Sequence, residues 1–416
     1  MEDAIKRNLH DPDRLENLYR ENQLQFTTSF RDVYEDIKNQ EIARFWQARL
    51  THDISQPKLI SWGSRQEIIF IVLASLAAGL LAKLPSFLSI SEEFFYPRNI
   101  GFIVFPFLIG YFLWKRQADT KIIAGTTVAL LLAALHINLL PSDNKSDTLI
   151  LACLHLPLFL WSLLGIAYSG LAGQPSRRIA YIRYNGDLVV FTAITMLAGG
   201  LFTGITVALF SLITPSAPQL FFEYVGIFGV AAVPLVATYM TQTNPELVGK
   251  VSPVIARLFS PLVLVMLIIY LIAVVATGKD PYNDREFLLI FNFLLIGVMA
   301  IIVFSIGGLP KHENNTASTL VLLLLSGLTI AVNLVALSAI LFRLSEWGIT
   351  PNRLAVLGGN VLIFVHLLLI FTELLKVVRR KHTLTDVENK VAVFLPVYAL
   401  WSICVTFLFP VLFSFR

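Results

Sequence analysis

The chain has 416 residues, 56% of them hydrophobic and 14% charged, with a mean hydropathy of +0.71 and a formal charge of +4. A soluble domain carries about 25% charged residues, so a soluble enzyme or binding domain is excluded, and 31 phenylalanines suit lipid-facing helices. The two cysteines, Cys153 and Cys404, each sit in an apolar run; they cannot build a disulfide framework or a cysteine zinc site and read as small packing residues.

Residues 1–62 are polar and their charges nearly cancel. No basic start followed by an apolar stretch marks a cleavable signal, so the first hydrophobic segment is expected to act as its own insertion signal, with a cytoplasmic N-terminus. Apolar residues recur here at gaps of three and four: Leu15, Leu18 and Tyr19, then Phe26, Phe30, Val33, Tyr34 and Ile37, then Ile42, Phe45, Trp46 and Leu50. That spacing predicts two or three short amphipathic helices. Three readings stay open for them: a cap on the loops of the membrane domain, a docking module for another protein, or a membrane-surface helix.

From Glu67 onward, apolar runs follow one another across short polar gaps. Crossing a bilayer takes about 20 helical residues. Spans are predicted near 67–88, 99–114, 122–141, 148–172, 187–214, 219–240, 257–277, 285–307, 317–342, 353–377 and 390–412, eleven in all. The fold class is therefore all-α, a polytopic transmembrane bundle over 67–412 with a small helical N-terminal region over 1–62.

Alternate gaps differ in basic residues. One set holds Lys115, Arg116, Lys121, Arg177, Arg178, Arg183, Lys250, Arg257, Lys311, Lys376, Arg379, Arg380, Lys381 and Lys390. The other, with the C-terminal tail, holds only Lys83, Arg98, Lys145, Lys279, Arg285, Arg343, Arg353 and Arg416. The first set marks the inside, which places the N-terminus in and the C-terminus out. An odd number of spans agrees with that. His136, His155 and His366 each begin a His-x-x-Leu string, but nothing else aligns around them and no internal repeat is read.

Between the ninth and tenth spans stands "RLSEWGITPNR", Arg343 to Arg353. Gly348 fits the left-handed position that ends a helix, and Thr350–Pro351 reads as an N-cap with proline in the first turn. Glu346 lies within reach of Arg343 and, across the turn, of Arg353; Trp347 suits the lipid–water boundary. The stretch reads as a capped, charge-braced hairpin or as an outer-loop site on the two arginines. It also resembles the Arg-x-x-Glu-Tyr-Gly-Leu-Thr-Pro-Asn-Arg signature of a bacterial inner-membrane protein family of unknown function (domain-of-unknown-function family 4153), with Trp347 and Ile349 in place of tyrosine and leucine. The stretch "RLFSPLVLVMLIIYLIAVVATGKDPYNDREFLLIFN", Arg257 to Asn292, is similar to that family too. The resemblance, over roughly 70–412, implies an integral inner-membrane protein and supplies no reaction or catalytic residue.

Phosphate-binding loops, His-Glu-x-x-His and Gly-x-Ser-x-Gly are absent, and no catalytic residues, metal or other cofactor are expected. What remains is polarity inside the membrane. His366, Asn360 and Glu373 on the tenth span, with Asn333 on the ninth, are candidates for a polar path; Glu373 equally pairs with Lys376 near the inner surface. Asn292 and Asn333 read as interhelical hydrogen bonds, and Glu223 as a residue in interfacial water. His136 and His155 fall at similar depth on neighbouring spans and form a candidate outer pair. Gly226, Gly229 and Pro234, and Gly358 and Gly359, mark either interrupted helices or kinks and close packing, as does the Gly200/Gly204 spacing. The expected function is transport of a small solute or lipid; the alternative is a scaffold, sensor or regulatory subunit. Expected partners are membrane lipids and, through residues 1–62, a cytoplasmic protein, with no nucleic acid.

Overall fold

A computed structural model describes residues 1–21, 23–54, 62–142, 145–171, 173–211, 217–245, 251–277, 282, 285–308 and 316–415. Lys250, Lys279, Lys311 and Arg416, and the side chains of Arg257 and Arg285, lie outside the described residues. The chain divides into two compact units, Met1–Trp62 and Gly63–Arg416.

The first unit holds α1 (Glu2–Arg7), α2 (Pro12–Glu21), α3 (Gln23–Ile37) and α4 (Glu41–Ile54). Its core is made by Leu15, Phe26, Phe30, Val33, Ile37, Trp46 and Leu50, joined by Ile5 and Leu9 from α1 and the turn after it. The Phe26 ring stands 5.0 Å from Trp46 and 5.6 Å from Tyr19. Phe45 departs from the expected face and is 61% exposed. Adjacent helical residues point about 100° apart, so α4 buries Trp46 and turns Phe45 outward. Arg49 lies over the Trp46 ring at 4.7 Å and pairs with Glu16 at 2.6 Å. The hydrogen bonds from Arg49 and then Arg20 hold the Glu16 carboxyl below its ordinary range.

The second unit is built of helices joined by turns and short loops, with no strand among its described residues. Its helices are α5 (Arg65–Ala82), α6 (Leu84–Leu88), α7 (Glu92–Lys115), α8 (Thr120–Leu139), α9 (Asp147–Ser169), α10 (Pro175–Ser211), α11 (Ile227–Thr243), α12 (Val251–Thr277), α13 (Arg285–Gly308), α14 (Thr316–Trp347), α15 (Pro351–Val378) and α16 (Leu384–Ile403). A π-helical turn, Phe221–Gly226, precedes α11, and another, Cys404–Leu408, follows α16. Among the described residues ten helices are long and apolar enough to cross a membrane, and in α12 the stretch Leu258–Ala273 is a shorter apolar helix.

Several boundaries shift from the sequence reading for local reasons. The first span stops at Ala82, because Pro85 in the first turn of α6 cannot continue the α5 ladder. The second begins at Glu92 rather than 99 and runs through Pro97 and Pro106. The fifth begins at Pro175, so Arg177, Arg178 and Arg183 lie on the helix rather than in a gap. At 37 residues α10 spans about 55 Å, well beyond a hydrocarbon layer of about 30 Å.

Two apolar clusters share the first turns of α10. Tyr181 and Tyr184 join the cluster made by α5, α7, α8, α9 and α11, whereas Ile179 and Ile182 join that of α12 to α16. A helix periodicity of 3.6 puts these pairs on opposite faces, so the start of α10 seams the two halves of the bundle. The C-terminal half of α10 instead exposes Leu197, Leu201 and Phe202. Gly200 and Gly204 lie there with open space where a Cβ would stand, so their spacing makes no close helix contact among the described residues. Gly229 is likewise open. Gly358 does serve packing: a Cβ there would run into the Trp401 ring.

Candidate functional site

Helices α14 and α15 form an antiparallel hairpin whose connection is built as its residues predict. Gly348 has φ +75°, and the Thr350 side chain accepts from the Arg353 amide at 3.3 Å with Pro351 in the first turn. The charge brace is different from the expected one. Glu346 is exposed and makes no ion pair among the described residues. Arg353 donates to the carbonyls of Trp347 and Gly348, both at 2.7 Å, and Arg343 donates to Tyr282 O at 2.9 Å. Both guanidiniums also lie against the Trp347 ring, at 5.4 and 5.6 Å. The last carbonyls of a helix are unsatisfied acceptors, and they hold Arg353 where a solvated carboxylate does not.

The hairpin carries a line of buried polar side chains. On α15, Asn360, His366 and Glu373 are all buried, and Asn333 on α14 is fully buried. Asn360 Nδ2 donates to Asn292 Oδ1 of α13 at 2.9 Å, and Asn333 Nδ2 donates to Asn360 O at 3.3 Å. Three helices are thus tied by amides. Further along, His366 Nδ1 is 3.1 Å from the Tyr398 hydroxyl of α16, and its ring stacks on Phe394 at 4.4 Å. Three polar atoms here are buried with no hydrogen-bond partner among the described residues: Asn333 Oδ1, His366 Nε2 and Trp401 Nε1. Leaving such a group unmet costs about 1–3 kcal/mol, and an interior that carries several calls for an explanation.

The same helix face ends in charge. Glu373 binds Lys376 at 2.9 Å, as its spacing suggests, and also His382 at 2.7 Å. His382 was not legible as a partner: α15 ends at Val378, Arg380 takes φ +57°, and this turn returns the imidazole to the carboxylate. A second buried carboxylate, Glu388 of α16, pairs with Arg183 of α10, whose guanidinium also donates to Gly307 O of α13. In the sequence alone Arg183 reads only as an orientation marker.

The other candidates separate. His136 Nε2 meets Thr406 O at 3.1 Å, and His155 Nδ1 meets Leu151 O at 2.9 Å; no hydrogen bond joins the two imidazoles. The π-helical turn at Cys404–Leu408 exposes a carbonyl that takes the His136 contact. Glu223 does not stay simply in interfacial water. It accepts from Lys83, 3.2 Å away, whose ammonium also faces the Tyr224 ring at 4.2 Å. Among the described residues no group of three or more His, Cys, Asp or Glu is gathered as for a metal ion.

No family model, curated protein or solved structure matches this chain. Its own features therefore carry the assignment: this is an all-α, multi-pass membrane protein.

Proposed function

We propose that this protein is a membrane transport protein for a small solute or lipid, with its polar path along α14, α15 and α16. The observation that carries the reading is the set of buried polar atoms without a hydrogen-bond partner among the described residues, Asn333 Oδ1, His366 Nε2 and Trp401 Nε1, one on each of these three helices. A purely structural seam closes its hydrogen bonds internally, whereas a path offers donors and acceptors to whatever passes. The buried Glu373, paired with the part-exposed Lys376 and His382, gives the path a charged end. The bias of basic residues supports an inside N-terminus and an outside C-terminus. The Arg343–Arg353 loop supports membership of the bacterial inner-membrane family it resembles, and with it that location.

The test is thiol access. In a chain with Cys153 and Cys404 replaced by serine, single cysteines at Asn333, Asn360 and His366 are treated in proteoliposomes with a small, membrane-impermeant thiol reagent. The transport reading predicts modification from at least one side, slowed by no more than the depth of the site. Complete protection of all three from both sides rejects it.

A second reading, a subunit that docks a cytoplasmic protein through residues 1–62, has its own observation. The first unit has an independent core, yet presents Phe45 beside a cavity of about 650 Å³ lined by Leu9, His10, Gln40, Glu41 and Ile42. Under this reading, deletion of residues 1–62 removes a co-purifying chain while insertion persists; an unchanged preparation rejects it.

A further inference from the structure

Arg98 is a charged residue inside the helical unit whose surroundings the polar path does not explain. It belongs to α7, is only 3% exposed, and stands with its guanidinium 4.4 Å from the Phe94 ring. Its Nη1 donates to Ile137 O at 2.6 Å and Leu140 O at 3.1 Å, and Nη2 donates to Pro141 O at 3.3 Å. These carbonyls close the end of α8, so the guanidinium is fixed before any ligand arrives. A guanidinium has five N–H donors and stays protonated in proteins, and the three bonds above leave donor capacity on Nε and Nη2.

Arg98 also borders a cavity of about 730 Å³ between α7 and α9, a size that suits a small ligand or a lipid headgroup with the start of its chains. Two features of the lining define the occupant. One wall is apolar and faces outward: Ile100 is 59%, Ile150 46% and Leu154 64% exposed. The polar part holds charges of both signs: Arg98 and, five residues earlier on α7, Glu93, an exposed residue that lines the same cavity and has no ion-pair partner among the described residues. An anion alone is repelled by Glu93, and a cation alone by Arg98. A headgroup carrying both charges satisfies both.

We propose that this cavity binds a phospholipid whose headgroup joins a phosphate to a free primary amine, with the phosphate at Arg98, the ammonium at Glu93 and an acyl chain along Ile100, Ile150 and Leu154. The amine must carry N–H donors, because a quaternary ammonium cannot hydrogen-bond to the carboxylate. The site is separate from the path on α14 to α16, so either assignment stands or falls without the other.

The experiment is native mass spectrometry of the full chain released from nanodiscs that contain equal parts of phosphatidylethanolamine, phosphatidylcholine and phosphatidylglycerol. The expected result is retention of the ethanolamine lipid over each of the others by about tenfold, the scale of one hydrogen bond to a charged group. Glu93→Gln, a change at an exposed position, is expected to abolish that preference while leaving the chain folded and lipid-bound. Leu154→Trp, which narrows the apolar wall, is expected to lower retention of all three lipids. Equal retention of the three by the unaltered chain, a preference for the glycerol lipid, or an ethanolamine preference that survives Glu93→Gln overturns the proposal. Arg98→Gln is the weaker variant because it also opens the end of α8.

Discussion

His366 and Tyr398 meet through one edge of the imidazole only: Nδ1 lies 3.1 Å from the hydroxyl, while Nε2 is buried with no partner. A histidine held solely for packing gains nothing from that second nitrogen. The double change His366→Phe/Tyr398→Phe removes the hydrogen bond and the orphan together while keeping ring volume. Replacing both partners by apolar groups of like shape is near neutral or stabilising. The thermal midpoint in detergent is therefore expected to hold or rise. Tyr398→Phe alone leaves Nδ1 without its partner and is expected to lower stability by about 1–3 kcal/mol.

Glu373 offers the opposite case, a buried carboxylate with two partners that are each about two-fifths exposed. Removing one partner leaves the other, so Lys376→Ala and His382→Ala each cost little. Removing both strands the charge, and the double variant is expected to lose about 3 kcal/mol, the scale of a broken buried pair. Additive single and double effects in a denaturation series contradict this coupling.

The contact of Gly358 with Trp401 predicts a sharp contrast along one helix. Gly358→Ala forces a methyl into the indole and is expected to cost about 1–3 kcal/mol. Its neighbour Gly359, with open space at the Cβ position, is expected to accept alanine without loss, as are Gly200 and Gly204. Melting curves of the four variants separate the two classes.

These variants also mark how far local sequence goes. Gly348, Thr350 and Pro351 were legible because a helix stop and a cap are decided within a few residues. His366 and Glu373 were legible as a pair because their seven-residue spacing puts them on one side of α15, whereas Asn360, six residues before His366, points about 120° away and meets Asn292 of α13. Tyr398, Trp401, His382 and Glu388 were not, since their roles depend on which helices pack together and how a turn folds back. Glu346 shows the reverse error. Spacing offered it two arginines, but the carbonyls ending α14 and the Trp347 ring compete for both.

In the first unit the ionisation of Glu16 links stability to pH. Hydrogen bonds from Arg49 and Arg20 lower its pKa in the folded state, so its contribution is fully present above the unfolded value of about 4.3 and is lost as pH falls through the folded value. Asp36, held by the Lys6 hydrogen bond, acts in the same direction. Residues 1–62 followed by circular dichroism are expected to lose helix stability below about pH 4. Glu16→Gln is expected to reduce that acid dependence; an identical acid profile in the variant contradicts the assignment.

The central claim is that the unmet atoms on α14, α15 and α16 face a hydrated path, and His366 reports on it most directly. Water-edited solid-state NMR of the chain in lipid, with 15N-labelled histidine and the His366 signal assigned by its loss in His366→Phe, measures whether water magnetisation reaches that ring. The account predicts transfer to the His366 nitrogens at short mixing times, despite full burial of the residue. A His366 signal that stays dark to water while the exposed histidines respond contradicts it.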